Sequence, residues 1–231
     1  QIMSEGKRVA LIDGYIHIKL REALVLELAG KGITDNAVLA AIGKIPRHFF
    51  LDSAFDKIAY EDRAFPIASG QTISHPFTVA YQTELLKVKP GDRILEIGTG
   101  SMYQTAILAE LGAEVFTVER QRGLVSKTKQ FKKLMPHLSP KVRFFFGDGF
   151  NGIPNLSPFD KIIITAAAPK VPEKLWDQLK LKGIMVIPVD ETETEQRMLR
   201  LTKKKDGLAK TESFDIFSFV PMLKGRDQNK K

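Results

Sequence analysis

The 231-residue sequence contains no cysteine, a single tryptophan and only four histidines. The missing cysteine excludes disulfide scaffolds, thiolate zinc sites, iron–sulfur clusters and thiol nucleophiles. His17, His48, His75 and His137 lack metal-ligand spacing, so no metal is expected. No apolar run approaches the roughly 18 residues needed to cross a membrane. The first twenty residues carry charges throughout and show no apolar core ahead of a small-residue cleavage site, so no signal peptide is expected. A cytoplasmic protein without a membrane partner follows as the expectation. Repeats and low-complexity tracts are also missing. What remains is ordinary globular material, 43% apolar and 27% charged, long enough for one large domain or two small ones. The net charge of +8 is a weak pointer to polyanions, because much of it sits in local lysine runs.

Residues 19–50 read as helical. Leu20, Ala23, Leu24 and Leu28 recur at helical spacing before Gly30 and Gly32, and Thr34 or Asp35 can cap a second helix. Residues 61–76 combine two prolines with glycine and several hydroxyls, the composition of a loop held to one path. Phe77–Leu86 returns to helix. From Gly91 onward, strand candidates at 93–97, 113–119, 142–146, 161–165 and 183–189 alternate with helices near 103–111 and 123–135. Two further runs, at 197–202 and 214–220, read as an antiparallel pair. Alternation of this kind predicts an α/β fold, a doubly wound and mostly parallel sheet with antiparallel C-terminal strands and an N-terminal helical extension. The expected division is an N-terminal segment 1–76, a core 77–223 and a disordered tail 224–231, within one structural domain.

Glu96-Ile-Gly98-Thr99-Gly100-Ser101-Met102-Tyr103 lies between a strand and a helix, where glycine lets the backbone approach a ligand. Tyr103 occupies the third position of the dinucleotide fingerprint, which counts against a nicotinamide cofactor. Glu119 closes the second strand about 20 residues on, where an acid can bind ribose hydroxyls. Asp148, in Gly147-Asp148-Gly149, follows the third strand and could face an adenine edge. Each acid alone reads as a solvated loop residue; three at successive strand ends point to a nucleoside. Glu96 is either a loop cap or a ligand.

The fourth strand ends in Thr165-Ala166-Ala167-Ala168-Pro169, with no acid or base and no Asn/Asp-Pro-Pro-aromatic segment of the kind used to methylate base amino groups. An acceptor that arrives ionised, such as a carboxylate, needs no general base, only placement in line with a methyl donor. Thr72 and Ser74, in Gly70-Gln71-Thr72-Ile73-Ser74-His75-Pro76, could hydrogen-bond such a group. Ser74 is equally readable as a helix cap, and His75 as a solvated residue.

The segment Ala64–Pro76, followed by Leu95–Gln104, resembles the protein-L-isoaspartate O-methyltransferase family. Phe116–Arg120, Gly147–Gly149, Phe159–Ala168, Gln178–Gly183 and Ile187–Val189 continue the resemblance in the family's order, over roughly residues 20–223. The resemblance implies a class I, Rossmann-like methyltransferase that uses S-adenosylmethionine and leaves S-adenosylhomocysteine. Its acceptor is the free α-carboxylate of L-isoaspartyl, and also D-aspartyl, residues in damaged proteins and peptides. By position it implies Ser74 as the active-site serine and Glu96, Gly98, Thr99, Gly100, Glu119, Arg120, Asp148 and Gly149 around the cofactor. Thr72, Ile73, His75, Thr165, Ala166, Ala167 and Ala168 fall at the acceptor. A monomer without a specific nucleic-acid partner is expected. The alternatives are an inactive relative or a methyltransferase with another acceptor, RNA included, given Lys127, Lys129, Lys132 and Lys133. Three departures stand out. Met102 replaces the usual glycine and either crowds the cofactor or packs elsewhere; His75 replaces glutamine or alanine; and Ser218 replaces an arginine before Phe219-Val220-Pro221.

Overall fold

The computed structural model describes residues 12–67, 70–122 and 128–227. The first helix, α1 (Tyr15–Gly30), starts four residues before the expected 19. Arg21, buried within it, explains part of its docking: the guanidinium pairs with Asp13 at 2.8 and 2.9 Å and donates to the Gly43 carbonyl at 2.8 Å. Helix α2 (Asn36–Lys44) is capped by Asp35, whose Oδ1 accepts from the Ala37 and Val38 amides. Two 3₁₀ turns, Arg47–Phe50 and Ser53–Ile58, lead into the proline-rich loop. That loop contains a short antiparallel pair, β1 (Phe65–Pro66) and β2 (Thr72–Ile73), before α3 (Pro76–Leu86).

The core alternates β3 (Arg93–Ile97), α4 (Tyr103–Glu110), β4 (Glu114–Glu119), α5 (Thr128–Leu134), β5 (Val142–Phe146), β6 (Phe159–Ile164), α6 (Glu173–Asp177) and β7 (Leu179–Asp190). Two antiparallel strands follow, β8 (Gln196–Lys203) and β9 (Ala209–Phe217). The sheet order is β5-β4-β3-β6-β7-β8-β9, parallel from β5 to β7. This is the doubly wound sheet with antiparallel C-terminal strands that the alternating pattern predicts.

Strand residues alternate between two buried clusters. Ile94, Val115, Ile163 and Val186 join Leu24, Leu28 and Ile42 of the N-terminal helices on one face. Leu95, Ile97, Phe116, Val118 and Ile164 fill the other. The N-terminal helices therefore share a core with the sheet.

Residues 123–127 of the expected fifth helix and residues 228–231 of the expected tail lie outside the described residues, as do residues 1–11. Residues 224–227 depart from the expected fray. Arg120 donates to the Gly225 and Lys224 carbonyls at 3.2 and 3.4 Å, the Asp227 amide donates to the Arg120 carbonyl, and the Gly225 amide donates to Asp148. Polar composition reads as tail; one backbone bond to Arg120 and the side chains of Arg120 and Asp148, just past β4 and β5, hold the stretch.

Candidate active site

Strand order reverses between β4, β3 and β6, and open α/β sheets bind ligands at the carboxyl ends of strands at such a point. A cleft opens there. Its walls include the glycine turn Gly98–Ser101, the end of β4 at Glu119 and Arg120, the loop Gln71–Ser74, and Gly149, Thr165 and Ala166.

The turn after β3 is fixed from several sides. Gly98 has φ +95° and Gly100 φ +49°, left-handed values that favour glycine. A Cβ on Gly98 would lie 2.6 Å from the Thr165 hydroxyl, so the loop meets β6 too closely for any side chain. Thr165 Oγ1 sits 2.9 and 2.8 Å from the Ile97 and Gly98 carbonyls and donates its proton there. Thr165 thus locks the turn while lining the cleft. Thr99 bonds Thr117 through their hydroxyls at 2.6 Å.

Glu119 reaches the same turn. Its carboxylate accepts from the Gly100 amide at 3.1 Å and the Gln121 amide at 2.9 Å. Burial raises its pKa, and the backbone hydrogen bonds oppose that rise. Each oxygen keeps a further lone pair for a hydroxyl in the cleft.

Other expected site residues fall elsewhere. Glu96 lines no part of the cleft; it is fully buried on the sheet face it shares with Ile94, where it accepts from Thr105 at 2.6 Å. Strand alternation is the reason, since Leu95 and Ile97 point the other way. Burial pushes its carboxyl up to about 8, against the Thr105 and Thr117 hydroxyls. Asp148 is likewise off the lining. Its oxygens accept from the Phe150 and Gly225 amides, each at 2.9 Å, and so serve the turn and the C-terminal segment. Ala167 pairs through its backbone with Val220 and Met222, and Ala168 with Pro188 and Asp190. These bonds take both alanines out of the lining and leave Ala166 in it.

In the Gln71–Ser74 loop the helix-cap reading of Ser74 does not hold. Asp62, not Ser74, serves the start of α3, accepting from the Phe77 amide at 2.8 Å. Thr72, Ile73 and Ser74 all line the cleft. His75 is exposed, makes no side-chain cap and lies off the cleft. Met102 does not crowd the cleft. It takes φ +71° and turns its buried side chain into a separate apolar hollow with Phe50, Phe55, Ile67 and Leu134.

Sequence reasoning missed Tyr103, Gln104 and Gln82 on one wall and Val220, Pro221, Met222 and Leu223 on another. Tyr103 closes the glycine motif, Gln104 closes the family segment Leu95–Gln104, and the valine and proline lie in a further quoted stretch, but their phenol, amide and apolar side chains carried no signal of their own. Among the described residues one cluster, Asp13, His17 and His48, brings possible metal-ligand atoms within 4.8 Å. It is poorly arranged for an ion. The two imidazoles stack with centroids 3.8 Å apart, so their lone pairs run side by side, and Asp13 is held by Arg21.

The model of the protein-L-isoaspartate(D-aspartate) O-methyltransferase family matches residues 19–227. The chain belongs to this family. A protein-L-isoaspartate O-methyltransferase of Cytophaga hutchinsonii is 51% identical over 215 residues, 93% of this chain and 95% of the relative. One of Flavobacterium johnsoniae is 52% identical over 212 residues, 91% and 97% of the two chains. Among solved structures, a Plasmodium falciparum chain described as a protein-L-isoaspartate O-methyltransferase has a TM-score of 0.78 at 27% identity. The match covers 89% of this chain and 99% of that one, which is in complex with S-adenosyl-L-homocysteine.

Protein-L-isoaspartate O-methyltransferases use S-adenosylmethionine, and the residues present fit it. Glu119 offers paired acceptors for ribose hydroxyls, and Ile97, Val118 and Met222 give apolar walls. A Cβ on Gly149 would lie 2.6 Å from Ile97 Cγ2 and 3.3 Å from Met222 Cε, so bare backbone is needed to keep that slot in shape.

Proposed function

We infer that this chain methylates the free α-carboxylate of L-isoaspartyl, and also D-aspartyl, residues in damaged proteins and peptides, with S-adenosylmethionine as donor. The observation that carries the acceptor chemistry is a cleft whose described lining offers no base. Its titratable lining residues are Glu119, Arg120 and Tyr103. Glu119 is occupied by two amides at the far end, and burial pushes the Tyr103 phenol up to about 12. Nothing there would deprotonate an amine or hydroxyl at neutral pH, whereas a carboxylate arrives ionised.

S-adenosylmethionine, when bound, supplies an electrophilic methyl group on a sulfonium. The residues of the chain work by placement. Glu119, with Gly98–Gly100 and Gly149, holds the nucleoside end; Asp148 acts behind them by fixing Gly225. Thr72 and Ser74 orient the acceptor carboxylate, with Ile73 and Ala166 packing beside it. Ser74 is no covalent nucleophile, since His75 is exposed and off the cleft and, among the described residues, no acid–base relay stands beside the serine. The following peptide nitrogen then attacks the ester carbonyl, losing its proton and expelling methanol, and hydrolysis of the resulting succinimide returns a share of normal aspartyl residues.

The same reading takes the chain as a monomer of the cytoplasm without a nucleic-acid partner. Lys129, Lys132 and Lys133 form an exposed, solvated face of α5. No described helix is long and apolar enough to cross a membrane. Repair itself is the test. An isoaspartyl peptide incubated with the protein and S-adenosylmethionine should accumulate succinimide and then its aspartyl isomer by liquid chromatography. A peptide pool that ages as it does without the protein would contradict the reading.

A further inference from the structure

Arg47 is fully buried, yet no carboxylate hydrogen-bonds to it among the described residues. Its partners are three carbonyls. Nε donates to Ala59 at 3.0 Å, and Nη2 donates to Arg63 at 3.3 Å and to Ser74 at 2.8 Å. Nη1 is buried without a partner, and the guanidinium carbon lies 4.9 Å from the ring centroid of Tyr103, a wall of the cleft. Burial lowers its pKa only to about 10, so the group keeps its charge at neutral pH. Asp62 acts on this charge only through space; a buried cation with no acid hydrogen-bonded to it is costly, and a neutral donor or a water would satisfy a carbonyl at less cost.

The place of the Ser74 carbonyl explains what this cation does. Helix α3 begins at Pro76, and its first turn uses the His75 carbonyl, which accepts from Val79. The Ser74 carbonyl lies outside that ladder and needs a partner of its own. The described residues around it have little regular structure beyond the two-residue pairing of β1 and β2. Among the described residues no side-chain bond steers Ser74 itself. The direction of its hydroxyl follows from the backbone, and Arg47 pins that backbone to residues 59 and 63.

We propose that Arg47 is the positioning residue of the acceptor site, fixing the Ser74 backbone so that the Gln71–Ser74 loop presents its hydroxyls to the acceptor; this rests on the carboxyl-methylation reading. The cation also stands on the acceptor side of the cleft, where its field favours an anionic acceptor over a neutral one.

The test uses the full chain with Arg47→Lys and Arg47→Met, read by hydrogen exchange, calorimetry and kinetics. In Arg47→Lys the amides of residues 71–77 should exchange about tenfold faster than in the parent, while those of residues 93–119 keep their rates. The KM for an isoaspartyl peptide should rise about tenfold, and further in Arg47→Met. The Kd of S-adenosylhomocysteine should stay within about threefold in both. A merely structural arginine would lower stability without separating these readouts. Unchanged exchange at 71–77 would overturn the proposal, as would cofactor affinity falling in step with peptide KM. Failure of Arg47→Lys to fold would also overturn it, making the residue a core strut. If the parent methylates no isoaspartyl peptide, the acceptor reading fails, and the exchange experiment still decides the positioning role.

Discussion

Met102 offers the sharpest mutational experiment, because two opposing effects meet at one residue. Its backbone is left-handed, φ +71° and ψ 6°, and its side chain is 2% exposed. An L-residue in that conformation costs about 1–2 kcal/mol, which glycine avoids. Truncating a buried methionine to alanine costs about 2–5 kcal/mol. Met102→Ala keeps the backbone cost and loses the packing, so it should destabilise by that full amount. Met102→Gly loses the same packing and relieves the backbone, less about 0.5–1 kcal/mol for the greater freedom of the unfolded chain. Glycine should therefore be about 1 kcal/mol more stable than alanine here, while both fall below the parent. Equilibrium urea unfolding with a shared m-value measures the two differences. Alanine matching or exceeding glycine would refute the left-handed backbone, and a glycine variant more stable than the parent would refute the packing. The side chain lies off the cleft, so S-adenosylhomocysteine affinity should change by less than about threefold; clear tightening in the glycine variant would mean that Met102 does crowd the cofactor.

Ser74→Ala should lower turnover on an isoaspartyl peptide about tenfold or more while leaving cofactor affinity unchanged, and calorimetry showing a large loss of cofactor binding would count against its acceptor role. Glu119→Gln should weaken S-adenosylhomocysteine binding about tenfold or more, since one charged acceptor is lost and Gly100 with Gln121 loses an ionised partner; calorimetry checks it. Glu96 makes stability fall with rising pH. Its carboxyl titrates at 4.5 when unfolded and at about 8 when folded, so between these values the native state binds more protons and loses stability as pH rises. Glu96→Gln should flatten that slope and gain most, relative to the parent, above pH 8, as urea midpoints across the range would show.

The parts of the fold that follow local rules were legible. Gly98 and Gly100 announced the turn after β3, and Glu119 the strand end beside it, because conformational freedom and strand length are written locally. Asp35 as a helix cap follows the same logic. Glu96 was misplaced although the strand's period of two, with Leu95 and Ile97 on the opposite face, argues for its burial on the face of Ile94. The contacts of Asp148 could not be read from the sequence because one partner, the Gly225 amide, lies 77 residues away. The same distance problem hid residues 224–227, whose composition reads as tail. Arg47 was invisible for the opposite reason: a charged residue in a short turn reads as surface, and only the convergence of residues 59, 63 and 74 on it shows its place. Asp62 took the helix-start role that left Ser74 ambiguous, again through a contact between residues separated by a loop.

The central claim is transfer of a methyl group to an ionised carboxylate. Labelled S-adenosylmethionine, offered with an isoaspartyl peptide and its normal aspartyl twin, tests it most directly. The account predicts base-labile label on the isoaspartyl peptide alone. Label on neither peptide from a folded protein, or base-stable label on either, would contradict it.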